Sequence, residues 1–526
     1  MPARDSHNLL PTLATVALCL TACSTSGSPE PEIDLTPVEA RISPATGAET
    51  ITADEMLAHI SFLASDELGG RDTPSPGLEM AATYLEDAFR AAGLDAAGDS
   101  GSFIQRWTFE KMALRASETV VKIEAGGVTE AAEYAVDFFV LPSAEELVSA
   151  GVTFLGSIDV LLGDSTPDAT GRIAVVTTPP SMGMEILQAA SAAADAGAKG
   201  LVLILDRELP AEVIGMVAGQ IAGAGLPFQP VPLVGVTWSV GERLLAGAGA
   251  DLGAVAADFE EAEDVVPVVL EGVEVTIRAP MDTELSTPPN VVGLLRGIDP
   301  TLSHTYIVLS AHFDHVGIGV ADAAGDSIYN GADDDASGTS VLLEVAQAFQ
   351  SMPRPPKRSI VFLAVSGEEK GLLGAAHFAR KPTVPLDGII ANINLDMIGR
   401  NAPDTVIAVG QEFTSLGDLA RSIAAQHPEL GLTVAPDPDP SEQAFFRSDH
   451  LVFVKEDIPA IFFTTWTHDD YHQPSDEAES IDADKAARIA RLTFLLTWHL
   501  GEADAAPTWN EGALDEVHEI LADSPF

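Results

Sequence analysis

SIVFLAVSGEEKGLLG, Ser359 to Gly374, holds six consecutive apolar residues, Ile360 to Val365, and then stops at Ser366-Gly367. An unbroken apolar run of that length predicts a strand buried on both faces of a parallel or mixed sheet. Glu368 and Glu369 follow at its C-terminal end, the edge at which open α/β sheets bind ligands. Neighbouring carboxylates repel and are costly to bury unless a cation stands beside them. Alone, the pair reads equally as a solvated acidic loop.

Four other stretches repeat the design of an apolar strand followed by polar ligand types. TYIVLSAHFDHVG, Thr305 to Gly317, contains His312-Phe313-Asp314. NGADDDASGTS, Asn330 to Ser340, sets three aspartates before a helix start. GIIANINLDMIG, Gly388 to Gly399, contains Asp396, and DDYHQPSD, Asp469 to Asp476, contains His472 after the apolar run Ala460 to Phe463. Each has a plain reading as a surface histidine, a helix cap or a turn residue. Their joint occurrence with the Glu-Glu pair in one strand-and-helix alternation is much harder to dismiss.

Composition narrows the chemistry. The 526 residues allow two or three domains. The 79 acidic and 27 basic residues give a net charge of −52, a surface that repels nucleic acid and anionic lipid. The two cysteines, Cys19 and Cys23, both lie near the N-terminus, so a metal in the folded body would need His, Asp and Glu ligands. No Gly-x-Ser-x-Gly elbow or phosphate-binding loop motif occurs, and Ser448-Asp449-His450 are merely consecutive.

Leu9 to Cys23 has the length of a signal-peptide apolar region, shorter than a comfortable bilayer span. Leu20-Thr21-Ala22-Cys23 resembles a bacterial lipobox, which implies cleavage before Cys23 and a lipid on its sulfur. Ser24 suits delivery to an outer membrane. The expected divisions are a signal peptide over 1–22, a flexible tether over 23–50, a first part of the main domain over 51–130, an insert over 131–263, the main part over 264–505 and a loosely packed acidic tail over 506–526. Helices are expected from Thr52, over Ala81 to Leu94, and over Ala483 to Leu500. The insert, with GRIAVVTTPP, AASAAADAGAKGLVLILD and VPLVGVTW, resembles the protease-associated domain, which implies a role in covering or shaping a substrate cleft.

The ordered set His-x-Asp, Asp-x-x-Ser-Gly, Glu-Glu, Asp and His resembles the two-zinc exopeptidases. That family includes secreted bacterial aminopeptidases, glutamate carboxypeptidase, glutaminyl cyclase and the transferrin receptor ectodomain. The resemblance implies a mixed, largely parallel α/β sheet flanked by helices, with the smaller α/β insert. It implies two Zn²⁺ ions, one on His312 and Asp396, the other on Glu369 and His472, with Asp334 bridging. Glu368 would be the general base, acting on a hydroxide that bridges the metals. Asp314 would orient His312, and Tyr471 would donate to the oxyanion or serve only in packing. Oxygen and imidazole ligands suit zinc, at about 2.0–2.2 Å. The implied function is an exported, membrane-anchored aminopeptidase acting on peptides. The alternatives are a carboxypeptidase or dipeptidase, for which Arg400 and Arg447 are the nearest carboxylate-binding candidates, and an inactive binding ectodomain. His468, Asp469 and Asp470 lie close to the site in sequence without an assigned role.

Overall fold

The computed structural model describes residues 43–523 except 142, 164–166, 180–184, 208, 211, 225–228 and 261–266. The expected signal peptide, Cys23 and most of the tether lie outside the described residues. Among the described residues no helix is long and apolar enough to cross a membrane.

The larger sheet has nine strands, numbered here within it: β1 Asp95–Ala96, β2 Ile104–Arg106, β3 Pro289–Leu295, β4 Tyr306–His312, β5 Ser359–Val365, β6 Ile389–Leu395, β7 Thr405–Val409, β8 Thr433–Ala435 and β9 Ala460–Thr464. Their order is β1-β3-β5-β4-β6-β9-β7-β8, with β2 also on β3. The central strands β5, β4, β6 and β9 are parallel, while β3 and β7 run antiparallel to the neighbours that join them to this group. The sheet is therefore mixed with a parallel centre, as the apolar runs predict.

The run Ile360 to Val365 is fully buried because it feeds two cores. Ile360, Phe362 and Ala364 enter one with the helices Ala53–Leu63, Pro76–Ala91, Gly338–Gln350 and Ala483–Glu502. Val361, Leu363 and Val365 enter the other with Ala375, Phe378 and Phe453. Full burial of each of the larger side chains, Ala364 apart, stabilises by about 1.5–3 kcal/mol relative to exposure. The first helix is capped by Thr52, whose side chain accepts from the Glu55 amide.

A second, eight-stranded sheet runs from Val120 to Arg278 and has its own cores on both faces. It takes in residues on either side of 131–263, because the long strand Val268–Arg278 pairs with both Val120–Ala125 and Leu147–Ser157. The chain passes between the two sheets through a ribbon in which Phe109–Leu114 pairs antiparallel with Met281–Ser286.

Two expectations are corrected. The end of the tether is packed: Ala45–Ala48 forms a helical turn with Gly47 and Ala48 buried, and a Cβ on Gly47 would stand 2.4 Å from the Phe494 ring. The acidic tail is not loose, since Ala513–Asp523 is a helix whose Val517 is fully buried with Phe445, Phe446 and Phe462. Its acidic residues occupy the solvent side of an amphipathic pattern, which overall charge conceals.

Candidate metal centre

The parallel strands deliver their C-terminal ends at one level. His312 pairs with Val365 across β4 and β5, and Leu395 with Phe463 across β6 and β9. His312 ends β4, Glu368 and Glu369 follow β5, Asp396 follows β6, and His472 lies in the loop after β9. Gly367 makes the turn after β5 at φ 75°, and a Cβ there would meet the Trp107 ring at 2.8 Å. Trp107 Nε1 donates to Ser366 Oγ at 3.1 Å, fixing the start of that turn.

Asp334 stands between two groups of side chains. Its Oδ1 lies 3.2 Å from His312 Nε2, which is also 3.6 Å from Asp396 Oδ1. Its Oδ2 lies 3.1 Å from His472 Nε2 and 3.6 Å from His315 Nδ1. Glu369 completes the second group, with Oε2 at 3.1 Å from His472 Nε2 and Oε1 at 2.8 Å from His315 Nδ1. The donor atoms within each group, His312–Asp334–Asp396 and His315–Asp334–Glu369–His472, all lie within 4.8 Å of one another.

The hydrogen bonds around these groups fit cations. His312 Nδ1 faces the Asp314 carbonyl at 3.2 Å, and because a carbonyl only accepts, Nδ1 carries the proton of the neutral ring. The Nε2 lone pair then points at two carboxylates, an arrangement that a metal ion between them makes favourable. His472 Nε2, His315 Nδ1 and Glu369 Oε1 are buried and make no hydrogen bond despite their short mutual distances. The donor set of imidazole and carboxylate is that of zinc.

The electrostatics agree. Burial lowers the His472 pKa, but Asp334 and Glu369 outweigh it and hold the imidazole at about 10. Burial and Asp334 push the Glu369 carboxyl up, and His315 and His472 bring it down to about 2. The carboxylates thus draw positive charge onto the His472 ring, a charge that a dication would supply. Glu368 belongs to neither group; burial, with Glu369, Asp449 and Asp396 nearby, raises it well above the usual carboxylate range against the pull of His312.

The three consecutive aspartates separate by role. Asp333 Oδ1 accepts from the Gly399 amide at 2.6 Å. Asp335 Oδ1 accepts from the Gly338 and Met397 amides at 2.9 and 3.2 Å. Only Asp334 turns into both groups. A Cβ on Gly338 would lie 2.5 Å from both Asp335 Oδ1 and the Leu395 carbonyl, so only glycine permits this loop to seat against β6.

Asp314 stands beside His312, yet its main-chain carbonyl is the nearer acceptor and its carboxylate Oδ1 lies 3.7 Å away. That carboxylate accepts from Thr73 Oγ1 at 3.0 Å and from the Glu368 amide at 3.3 Å, so it ties the general-base candidate to the His312 loop. Tyr471 stacks on His472 with ring centroids 4.0 Å apart, and burial first among several causes raises its pKa. Of the arginines, Arg400 pairs with Asp470 and donates to Ser480 Oγ at 2.7 Å, while exposed Arg447 lies 3.4 Å from Glu442.

Sequence reasoning missed several residues and left His468 without a role. His315 is three positions past His312 and fully buried. Arg71, also fully buried, donates Nε to the Phe313 carbonyl at 2.8 Å and its terminal nitrogens to the carbonyls of Leu63, Asn330 and Gly331. It clamps the His312 loop to the Asp334 loop. Asp476 accepts from the amides of Asp333 and Asp334 at 3.0–3.1 Å. His468 Nε2 lies 3.3 Å from Asp333 Oδ2. Asp449 is fully buried with both oxygens unpartnered, and burial, against His312, pushes it up to about 8.

The stretch that contains both groups also matches a known family. Residues 290–497 match Peptidase family M28. The chain therefore carries a peptidase M28 domain. That stretch begins in β3, ends in the closing helix and contains both groups of side chains. A probable zinc metalloprotease of Pyricularia oryzae is 30% identical over 286 residues, 46% of this chain and 54% of the relative, so the chain spans about half of that protein. Aminopeptidase YwaD of Bacillus subtilis is 24% identical over 354 residues, 65% of this chain and 66% of the relative. In fold, the aminopeptidase of Aneurinibacillus sp. strain AM-1 superposes with a TM-score of 0.56 at 20% identity, covering 88% of this chain and 97% of that one. A zinc aminopeptidase from Bacillus subtilis gives 0.52 at 19% identity, over 86% and 96%.

Proposed function

We propose that the protein is a zinc-dependent aminopeptidase that removes N-terminal residues from peptides, with His312, Asp334, Asp396, Glu369 and His472 holding two Zn²⁺ ions. The observation that carries this reading is Asp334, which divides its two carboxylate oxygens between two convergent groups of imidazole and carboxylate donors. When bound, the zinc ions supply Lewis-acid polarisation of the scissile carbonyl and lower the pKa of the attacking water.

Glu368 takes the water's proton and passes it to the departing amine. Its environment supports that role: it stands beside the metal ligands without joining either group, and burial favours the protonated form once a proton arrives. Its main-chain amide is held by Asp314. Tyr471, packed flat on His472, would present its hydroxyl to the oxyanion.

An aminopeptidase is favoured over a carboxypeptidase because Arg400 is engaged by Asp470 and Ser480, and Arg447 by Glu442. The acidic surroundings of the site suit a free α-ammonium group better than a C-terminal carboxylate. The eight-stranded unit would shape access to the cleft as a protease-associated domain. The lipobox-like Leu20 to Cys23 supports export with a lipid anchor on Cys23.

The test pairs peptides with free and acetylated N-termini, incubated with purified protein with and without chelator. Cleavage of the free form alone, lost with chelator and restored by zinc, is expected. Release of C-terminal residues from both would replace this reading with a carboxypeptidase.

A further inference from the structure

His315 lies outside the five-ligand set proposed above, yet it is built into the centre as closely as His472. Its side chain is fully buried. Its Nδ1 is 2.8 Å from Glu369 Oε1 and 3.6 Å from Asp334 Oδ2, and neither ring nitrogen makes a hydrogen bond. His472 Nε2 is in the same condition, 3.1 Å from an oxygen of each of the same two carboxylates and bonded to neither. Short approaches without hydrogen-bond alignment are what lone pairs converging on a common point produce. An ordinary buried histidine donating to Glu369 would align its N–H with Oε1 instead.

The ring is also fixed in place. The His315 amide donates to the Arg71 carbonyl at 3.3 Å. A Cβ on Gly331 would lie 2.5 Å from His315 Cγ, so the glycine gives the ring room to seat. On the other side the ring meets His472 edge-on, with centroids 5.4 Å apart at 73°.

We infer that His315 is a fourth protein ligand of the zinc position formed by Asp334, Glu369 and His472, which makes the two metal positions unequal. This rests on the dinuclear zinc reading above. Four protein donors complete a tetrahedral zinc, the pattern of a structural site, whereas His312, Asp334 and Asp396 leave one position open, the pattern of a catalytic one. Substrate and solvent would then be directed to the His312–Asp396 side.

The test replaces zinc with ¹¹³Cd²⁺ in the full chain carrying ¹⁵N-histidine and counts the imidazole nitrogens that show scalar coupling to cadmium. The expected count is three, two on one cadmium and one on the other, falling to one on each in His315→Gln. A count of two in the unsubstituted protein overturns the fourth ligand while leaving the dinuclear reading intact. Failure of the unsubstituted protein to bind cadmium or zinc overturns both. The count in the unsubstituted protein decides the matter even where the variant does not fold.

Discussion

Ser448 Oγ donates a 2.7 Å hydrogen bond to Asp396 Oδ2, and itself accepts from Asn394 Nδ2 at 2.8 Å. One oxygen of Asp396 is thereby held, and the other is left facing His312. On the proposed dinuclear centre, Ser448→Ala is expected to weaken zinc binding at the His312–Asp396 position by about 10–100-fold while the fold is kept. Chelator competition with direct zinc counting checks this; two unchanged affinities would remove Ser448 from the account.

Glu368→Gln keeps the shape of the side chain and removes its basicity. We expect kcat to fall by about 10²–10⁴-fold, with zinc content unchanged because Glu368 belongs to neither metal group. Loss of zinc in this variant would show that Glu368 is a ligand instead of the proton carrier.

Arg71 joins three segments through main-chain carbonyls, those of Leu63, of Phe313 and of Asn330 with Gly331. Burial lowers its pKa to about 10, so it remains charged at neutral pH. Arg71→Met is expected to destabilise the protein by about 3 kcal/mol or more, since several buried carbonyls lose a charged donor at once. Thermal unfolding with zinc bound measures it; an unchanged Tm would mean that the loops hold together without the clamp.

His450 donates Nε2–H to the Phe445 carbonyl at 2.8 Å and is fully buried, and burial brings its pKa down to about 3. An unfolded histidine titrates near about 6.5. Between those values the unfolded chain binds the extra proton, so the contribution to stability is complete above about pH 6.5 and declines as the pH falls, reaching about 2 kcal/mol lost at pH 5. The drop in Tm from pH 7 to pH 5 should therefore shrink in His450→Gln. Equal drops in the two proteins would assign the acid sensitivity elsewhere.

How much of this was legible in the sequence follows from what kind of contact each feature uses. Ile360 to Val365 announced its strand because burial on both faces requires an apolar residue at every position. His312, Asp334, Glu369, Asp396 and His472 were legible as strand-end or loop residues of ligand type, and the structure gathers all five. His315 stands in His312-Phe313-Asp314-His315, but it falls outside the His-x-Asp spacing and so carries no signal of its own. Arg71 could not be read, because it contacts main-chain carbonyls, which leave no side-chain signature in a distant segment. The tail misled because Val517, Ile520 and Leu521 pack inward from among acidic neighbours.

The ribbon that joins the two sheets bears on how the chain folds. Arg106 pairs with Pro289, and Phe109 with Ser286, although everything from Glu110 to Leu285 intervenes. Closing so long a loop from an unstructured chain is slow, while its entropic cost grows only with the logarithm of its length. Once the eight-stranded unit has folded, the two arms of the ribbon emerge already side by side, and the effective loop between β2 and β3 shrinks to a hairpin. A folded insert would thus hold β2 beside β3 and shorten the search for that pairing.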